Sequence, residues 1–256
     1  MKQGPRWPAE AIWEAVSPVL PDFSVEIVPE IDSTSSELMR RARAGRTEPV
    51  LLLAEHQTAG RGRLGRNWQT MPGAALTFSF GLPLAPEDWS GLSLAIGVAA
   101  AEALHPDVGL KWPNDLWWQD RKLAGILVET AGTAQGAERF VVVGLGLNIV
   151  APQTGGDALR TPPAGMRDLE PGIDAATALG RIAAPLVLAV QAFGTLGFAP
   201  WRERFAARDV LRNRAVQLSD GSHGVARGVD ADGALLVETA DGLQPVRSAE
   251  ISVRPA

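Results

Sequence analysis

The residues best suited to chemistry lie in one loop. Gly60-Arg-Gly-Arg-Leu-Gly65, followed by Arg66, Asn67 and Trp68, sets three arginines among three glycines directly after an apolar run. Arginine forks bind phosphate and carboxylate oxygens bidentately, and glycine lets the main chain come close to a ligand. Trp68 adds an aromatic face. The segment is a literal G-x-G-x-x-G, but a dinucleotide fold needs a helix straight afterwards to hold the pyrophosphate. Here Pro72 and Gly73 stop any helix within two turns. The stretch therefore reads as an anion-binding loop.

Further downstream, Lys111-Trp-Pro-Asn-Asp115 sets a lysine at a strand end before a proline-fixed turn with an amide and a carboxylate. Asn114 suits a purine edge or a phosphate. Asp115 suits Mg²⁺, which takes few protein carboxylates and several waters. Taken alone, Pro-Asn-Asp is an ordinary hairpin turn. Lys122, with Gly125 close behind it, is a candidate cation for a carboxylate or phosphate; taken alone, it is an exposed strand-end lysine. Asn148 follows Gly144 and Gly146, a pattern of close backbone approach or of a glycine bulge with a turn asparagine. The chain has no cysteine and three scattered histidines, which excludes disulfides, thiolate chemistry and cysteine-ligated metals and disfavours a histidine metal cluster. No Ser–His–Asp set is identifiable. What remains is positioning and charge neutralisation of phosphates.

The elements that must position these groups follow from periodicity. At 256 residues the chain is one large domain, or a large one with a small one. Helices are expected at 9–16, 38–44, 90–104, 175–193 and 201–207. Thr34 with Glu37 makes a capping box ahead of the second helix, and Gly45 stops it. Strands are expected at 25–28, 50–54, 75–80, 109–112, 123–129 and 140–143, with loops at 55–73 and 151–165. The strand at 141–143 is a candidate sheet edge able to pair with another chain. Beyond residue 210, Asp220-Gly221, Asp232-Gly233 and Asp241-Gly242 are three hairpin signals about ten residues apart, the mark of a small β-barrel. Arg40, Arg41, Arg43 and Arg46 read as a solvated basic face suited to a helix C-terminus. A net charge of −5 offers no global basic field for nucleic acid. Neither a signal peptide nor an apolar run of about 20 residues is present, so a cytoplasmic protein is expected.

Five ordered blocks carry a resemblance: Ser33-Thr34; Glu55-His-Gln57 leading into Gly60 to Trp68; Lys111-Trp-Pro-Asn-Asp115; Asp120-Arg-Lys-Leu-Ala-Gly-Ile-Leu-Val-Glu129; and Gly144-Leu-Gly-Leu-Asn148. Together they make the chain resemble the biotin–protein ligases, also called biotin–[acetyl-CoA-carboxylase] ligases. That resemblance implies an α+β fold. A mixed β-sheet catalytic domain flanked by helices, like that of class II aminoacyl-tRNA synthetases, would span 1–209. A small SH3-like β-barrel would span 210–256. It implies activation of biotin by Mg-ATP to biotinyl-5′-AMP and pyrophosphate, then transfer to a lysine of the biotin carboxyl carrier protein of acetyl-CoA carboxylase.

Carried over by motif, Ser33, Thr34, Ser35 and Gln57, with Gly60, Gly62, Gly125 and the main chain of Arg61 and Arg63, would surround biotin. Arg61, Arg63 and Arg66 would face the acyl-phosphate, and Lys122 would hold the biotin carboxylate and the α-phosphate. Asn114, Asn148 and Trp68 would serve the nucleotide, and Lys111 with Asp115 the phosphate and Mg²⁺ end. The family often has Asn where this chain has Ser35. Some relatives carry an N-terminal DNA-binding module, and the roughly 30 residues before Ser33 are too few for one, so a ligase without DNA or membrane binding, monomeric or weakly dimeric, is expected. The rival readings are a lipoate–protein ligase and a regulatory module that binds biotin or nucleotide without transferring it. The loop arginines and the C-terminal β segment favour biotin; the retained lysines favour catalysis.

Overall fold

The computed structural model describes residues 6–68, 71, 73–132, 138–153, 161–247 and 253–255. Pro72, part of the case against a dinucleotide loop, and residues 154–160 of the expected 151–165 loop lie outside them.

A seven-stranded mixed sheet organises the larger part of the chain. Its strands are β1 (Ser24–Ile31), β2 (Val50–Gln57), β3 (Ala75–Leu84), β4 (Gly109–Lys111), β5 (Asp115–Trp118), β6 (Arg121–Ala131) and β7 (Arg139–Asn148). Their order is β1-β2-β3-β7-β6-β5-β4. Only the β1–β2 pair is parallel. Alternation assigns the two faces. Leu51, Leu53, Phe78, Phe80, Val143 and Leu145 point into the main core. Helices α1 (Ala9–Val16), α3 (Leu92–Leu104) and α5 (Ala175–Leu196) cover that face. Along α5, Leu179, Ile182, Leu186, Val190 and Phe193 recur at helical spacing and are buried to within 1%. This helix is long and apolar enough to cross a bilayer, yet its apolar stripe is core. On the opposite face α2 (Thr34–Arg43) packs Leu38 and Met39 on Val50, Leu52, Phe140 and Val142.

Several boundaries differ from the sequence-based expectation. Ser33, not Thr34, caps α2: its Oγ accepts from the Ser36 amide at 3.3 Å, and Thr34 begins the helix. Glu37 turns to Arg41 and Arg40, so no capping box forms. Strand β2 runs on to Gln57, which moves that residue from the loop to a strand end. Gly144 to Leu147 is regular strand paired on both sides and Asn148 pairs with Ala75, so of the two readings of this segment the close backbone approach holds and the bulge does not. Strand β7 is interior, between β3 and β6, so 141–143 is no free edge. Asp115 opens a strand that periodicity did not resolve, because four residues between two turns leave no period to read.

After α4 (Met166–Leu169) and α6 (Ala199–Ala206), the C-terminal strands β8 (Ala215–Leu218), β9 (His223–Val229), β10 (Leu235–Thr239), β11 (Gly242–Val246) and β12 (Val253–Pro255) form an antiparallel sheet in the order β11-β10-β9-β8-β12. The three Asp-Gly signals fall at its hairpins, with Gly221, Gly233 and Gly242 all at positive φ. The larger sheet grips this smaller one at its β4 edge. Leu110 exchanges backbone bonds with Arg208 and Val210, at 2.8 and 3.0 Å. The fully buried Trp112 donates its Nε1–H to the Gly233 carbonyl at 3.0 Å. Trp112→Phe strands that carbonyl and is expected to cost about 1–3 kcal/mol, read by urea unfolding; a loss under about 0.5 kcal/mol would remove the bond's role as an anchor.

Candidate active site

The sheet register builds a hollow. Thr77, Gly146, Gly125 and Asp115 lie in one row across β3, β7, β6 and β5, and Asp115 pairs in turn with Lys111. The next row holds Ser79, Gly144 and Leu127. Three glycines thus stand where side chains would fill the space. A Cβ on Gly146 would lie 2.3 Å from the Trp68 ring, and one on Gly144 would lie 2.4 Å from Ser35 Oγ. Above them is a cavity of about 770 Å³, within the size range of small-molecule sites.

The Arg loop roofs this cavity. It is a small hairpin closed by Trp68 N–H to Gly60 O at 2.8 Å and Gly62 N–H to Arg66 O at 2.7 Å. Its tip is a single 3-10 turn with Leu64 and Gly65 left-handed. Among the described residues no helix follows until α3, so the dinucleotide reading fails on the structure as well. A side chain at Gly60 would strike the Trp68 carbonyl at 2.4 Å, which is why glycine stands at the base of the hairpin.

One side of the cavity is neutral and hydrogen-bonding. Gln57 Oε1 accepts from the Thr34 amide at 2.7 Å and from Thr34 Oγ1 at 3.1 Å. Ser79 Oγ lies 2.7 Å from Thr34 Oγ1 and 2.9 Å from Ser35 Oγ. The backbone amide can only donate, which fixes the Gln57 carbonyl as the acceptor and orders every proton in turn. Thr34 donates to Gln57, Ser79 to Thr34, and Ser35 to Ser79. With those protons spent, the three hydroxyls offer lone pairs to a ligand. Ser79 carried no sequence signal; it reads as one more residue of an apolar strand. Asp32, just before the cap, accepts from the Ser33 amide at 2.7 Å and pairs with Arg40, whose hydrogen bonds hold its carboxyl at about 2.

The other side is cationic. Lys122 Nζ pairs with Asp115 at 2.7 Å and lies 5.8 Å from the Trp68 ring centre. Lys111 is buried and sits 5.2 Å from the centre of the Trp117 ring. Arg63 donates to Asn114 Oδ1 at 3.2 Å. Burial pushes its pKa below the usual arginine range and Arg66 adds to this, while Asp115 opposes it. Asn114 in turn donates to Ile126 O at 2.7 Å, tying the turn to β6. Asn148 spends its amide N–H groups on Ala164 O, at 3.0 Å, and Lys122 O, at 3.4 Å. The Trp68 Nε1–H is buried without a partner. The C-terminal sheet adds Val253 to the cavity wall.

Ser33, Thr34, Ser35, Gln57, Arg61, Gly62, Arg63, Arg66, Trp68, Lys111, Asn114, Asp115, Lys122, Gly125 and Asn148 therefore line one cavity. Gly60 braces the roof from behind. One departure concerns Arg61. Its guanidinium turns to Glu129, at 2.8 and 3.1 Å, rather than toward the lysines.

Residues 29–148 match the biotin/lipoate A/B protein ligase family, and residues 213–254 match the biotin protein ligase C terminal domain. The chain is 37% identical to the bifunctional ligase/repressor BirA of Escherichia coli over 91% of this chain and 75% of that protein. It is 33% identical to the biotin–[acetyl-CoA-carboxylase] ligase of Paracoccus denitrificans over 86% and 96% of the two chains. The biotin protein ligase of Aquifex aeolicus, solved with biotin and ATP, superimposes with a TM-score of 0.76 at 26% identity, over 91% of this chain and 99% of that one. The two-sheet fold and the two matched domains place the chain among the biotin/lipoate protein ligases. The chain belongs to the biotin protein ligase family.

Removing the hub of the hydroxyl relay tests its role. Ser79→Ala leaves Thr34 without its donor and is expected to weaken biotin binding about tenfold, equivalent to ~1.4 kcal/mol, by calorimetry. Unchanged affinity with unchanged stability would show that the relay does not present these groups to biotin.

Proposed function

We propose that this cavity joins the carboxylate of biotin to the α-phosphate of ATP and then passes the biotinyl group to a lysine of a biotin carboxyl carrier protein. The observation that carries the reading is the division of one cavity. A neutral relay of Thr34, Ser35, Ser79 and Gln57 faces Arg63, Lys111 and Lys122 across a glycine floor. A ureido head is neutral and needs fixed hydrogen-bond partners. The reacting ends are two anions that repel, and clustered cations offset that repulsion.

In the first step a biotin carboxylate oxygen bonds to the α-phosphorus and the bond to the bridging oxygen breaks, releasing pyrophosphate. Lys122 holds the carboxylate and α-phosphate oxygens, Arg63 and Arg66 the phosphate from above, and Lys111 the far phosphates. Asn114 and Asn148 fix the segments around the base, and the buried Trp68 N–H supplies a donor beside it. In the second step the carrier amine attacks the acyl carbon, AMP leaves and the amine proton is lost. Mg²⁺ arrives with ATP. Among the described residues no three His, Asp or Glu stand close enough to hold a metal, so phosphate oxygens and water would supply most of its shell, with Asp115 as the protein carboxylate. Arg61 serves through its main chain. A cytoplasmic enzyme with access to ATP and the carrier completes this reading.

The test is pyrophosphate exchange into ATP with Mg²⁺ and either biotin or lipoate, followed by addition of a carrier domain. Exchange dependent on biotin and labelling of the carrier lysine are expected. Exchange with lipoate alone would change the substrate, and binding of biotin without exchange would make the site a sensor. Arg63→Ala is expected to keep the fold and release biotinyl-AMP at least tenfold faster, as loss of a charged hydrogen bond of about 1.5–3 kcal/mol implies, followed by trapping free adenylate. Unchanged retention would remove Arg63 from the acyl-phosphate.

A further inference from the structure

Glu129 lies outside the cavity lining and outside every motif role assigned above, yet it is aligned with the site. On β6 it follows Gly125 and Leu127 at the two-residue spacing of one sheet face. Its carboxylate takes the Arg61 guanidinium in a two-pronged pair, Nη2 to Oε1 at 2.8 Å and Nη1 to Oε2 at 3.1 Å. The same Nη1 reaches Ser36 Oγ of α2 at 3.4 Å. Arg61 thus spans from the roof loop to a strand of the floor and a helix beside it. On the other flank the loop is tied by Arg63 to Asn114.

We infer that Glu129 is a positioning residue that anchors the Arg loop through Arg61, so that the main chain of 61–62, and not the Arg61 guanidinium, faces the substrate. The inference rests on the ligase reading for the identity of what the loop covers. Two features support it. The pair absorbs the charge of Arg61 outside the cluster of Arg63, Lys111 and Lys122. It is also half exposed, with side chains 44% and 22% accessible. Such a pair is weak and screened by salt, which suits a roof that must open for each substrate and product.

The experiment begins with wild-type enzyme in biotin-dependent pyrophosphate exchange. If that exchange is absent, the ligase reading fails first. With exchange established, release of biotinyl-AMP is timed for Glu129→Gln, Arg61→Ala and the double variant at 50 and 500 mM salt. Glu129→Gln is expected to speed release about three- to fivefold, the effect of losing one such pair, and to leave kcat for exchange within twofold. Arg61→Ala is expected to match it in release, and the double variant to be no faster than either. High salt should bring wild type towards the variants. Exchanging the charges, Arg61→Glu with Glu129→Arg, should recover most of the retention, which a merely structural role would not predict. If Arg61→Ala instead lowers kcat a hundredfold or more while Glu129→Gln behaves as wild type, or if the two effects multiply, Arg61 touches phosphate and the anchor is disproved.

Discussion

The cavity depends on what strands β6 and β7 lack. Where they pass under the Arg loop they carry Gly125, Gly144 and Gly146, with side chains resuming on either side. A hydrogen-bonded sheet cannot open its backbone to admit a ligand without leaving amides and carbonyls unpaired, so depth must come from missing side chains. The ladder through these glycines is regular, and the roughly 0.5–1 kcal/mol that each strand glycine costs is offset by paired neighbours and a packed opposite face. That opposite face carries Val143, Leu145 and Ile126 in the main core. The site is thus an indentation in a rigid sheet, with the indole of Trp68 laid across two of the glycines.

Once the floor is fixed, the charges around it have to be held apart from one another until substrate arrives. Four of the cations have a partner nearby. Lys122 has Asp115, Arg61 has Glu129, Lys111 has the face of Trp117, and Arg63 has the Asn114 carbonyl. These partners differ in strength, and the difference sorts the roles. Burial disfavours the Arg63 charge, and a phosphate meeting it makes a charge-assisted bond. Lys122 has a full carboxylate, and a substrate anion has to compete with Asp115 for it. Exchange of one carboxylate partner for another keeps Lys122 paired throughout, while the displaced Asp115 stays in the site as an added negative charge. The lysine can therefore be occupied in both situations without the cost of a bare buried ion.

Of the residues that line the cavity, the Arg loop stands out by type and spacing alone. Lys111 to Asp115, Lys122 and Asn148 read singly as a hairpin turn, a strand-end lysine and a glycine bulge, and it was the order of the five blocks that drew them together. The helices with long apolar periods and the Asp-Gly hairpins were legible from their own patterns. Short elements were not. Strand β5 has four residues, and β7 looked interrupted because glycine usually marks a bulge; here it marks the ligand side of a straight strand. Ser79 and Glu129 escaped because their roles exist only across the sheet. Ser79 meets Thr34 and Ser35 from a strand 44 to 45 residues away, and Glu129 meets Arg61 over 68 residues. Nothing local in Leu-Thr-Phe-Ser or Leu-Val-Glu announces such a partner. The choice of cap failed more simply: adjacent Ser33 and Thr34 are both good caps, and tertiary demand decides between them, because Thr34 is needed for Gln57.

The C-terminal sheet then takes part in the site instead of hanging from it. Its polypeptide enters along β4, with Asp209 bridged to Leu110, one residue before Lys111. Trp112, one residue after Lys111, hydrogen-bonds to the β9–β10 turn at Gly233, a glycine whose positive φ and close approach to Gly91 exclude a side chain. Lys111 is therefore gripped on both sides by contacts to the small sheet, and Val253 of that sheet closes part of the cavity wall. A lysine side chain carries four rotatable bonds, and its reach is only as well defined as its Cα. Two anchors flanking that Cα fix it more firmly than three-residue β4 could alone, since a strand that short at a sheet edge has few ladder bonds to hold it. A separate β unit beside the larger sheet thus has a physical consequence in this arrangement: it stiffens the edge from which Lys111 projects.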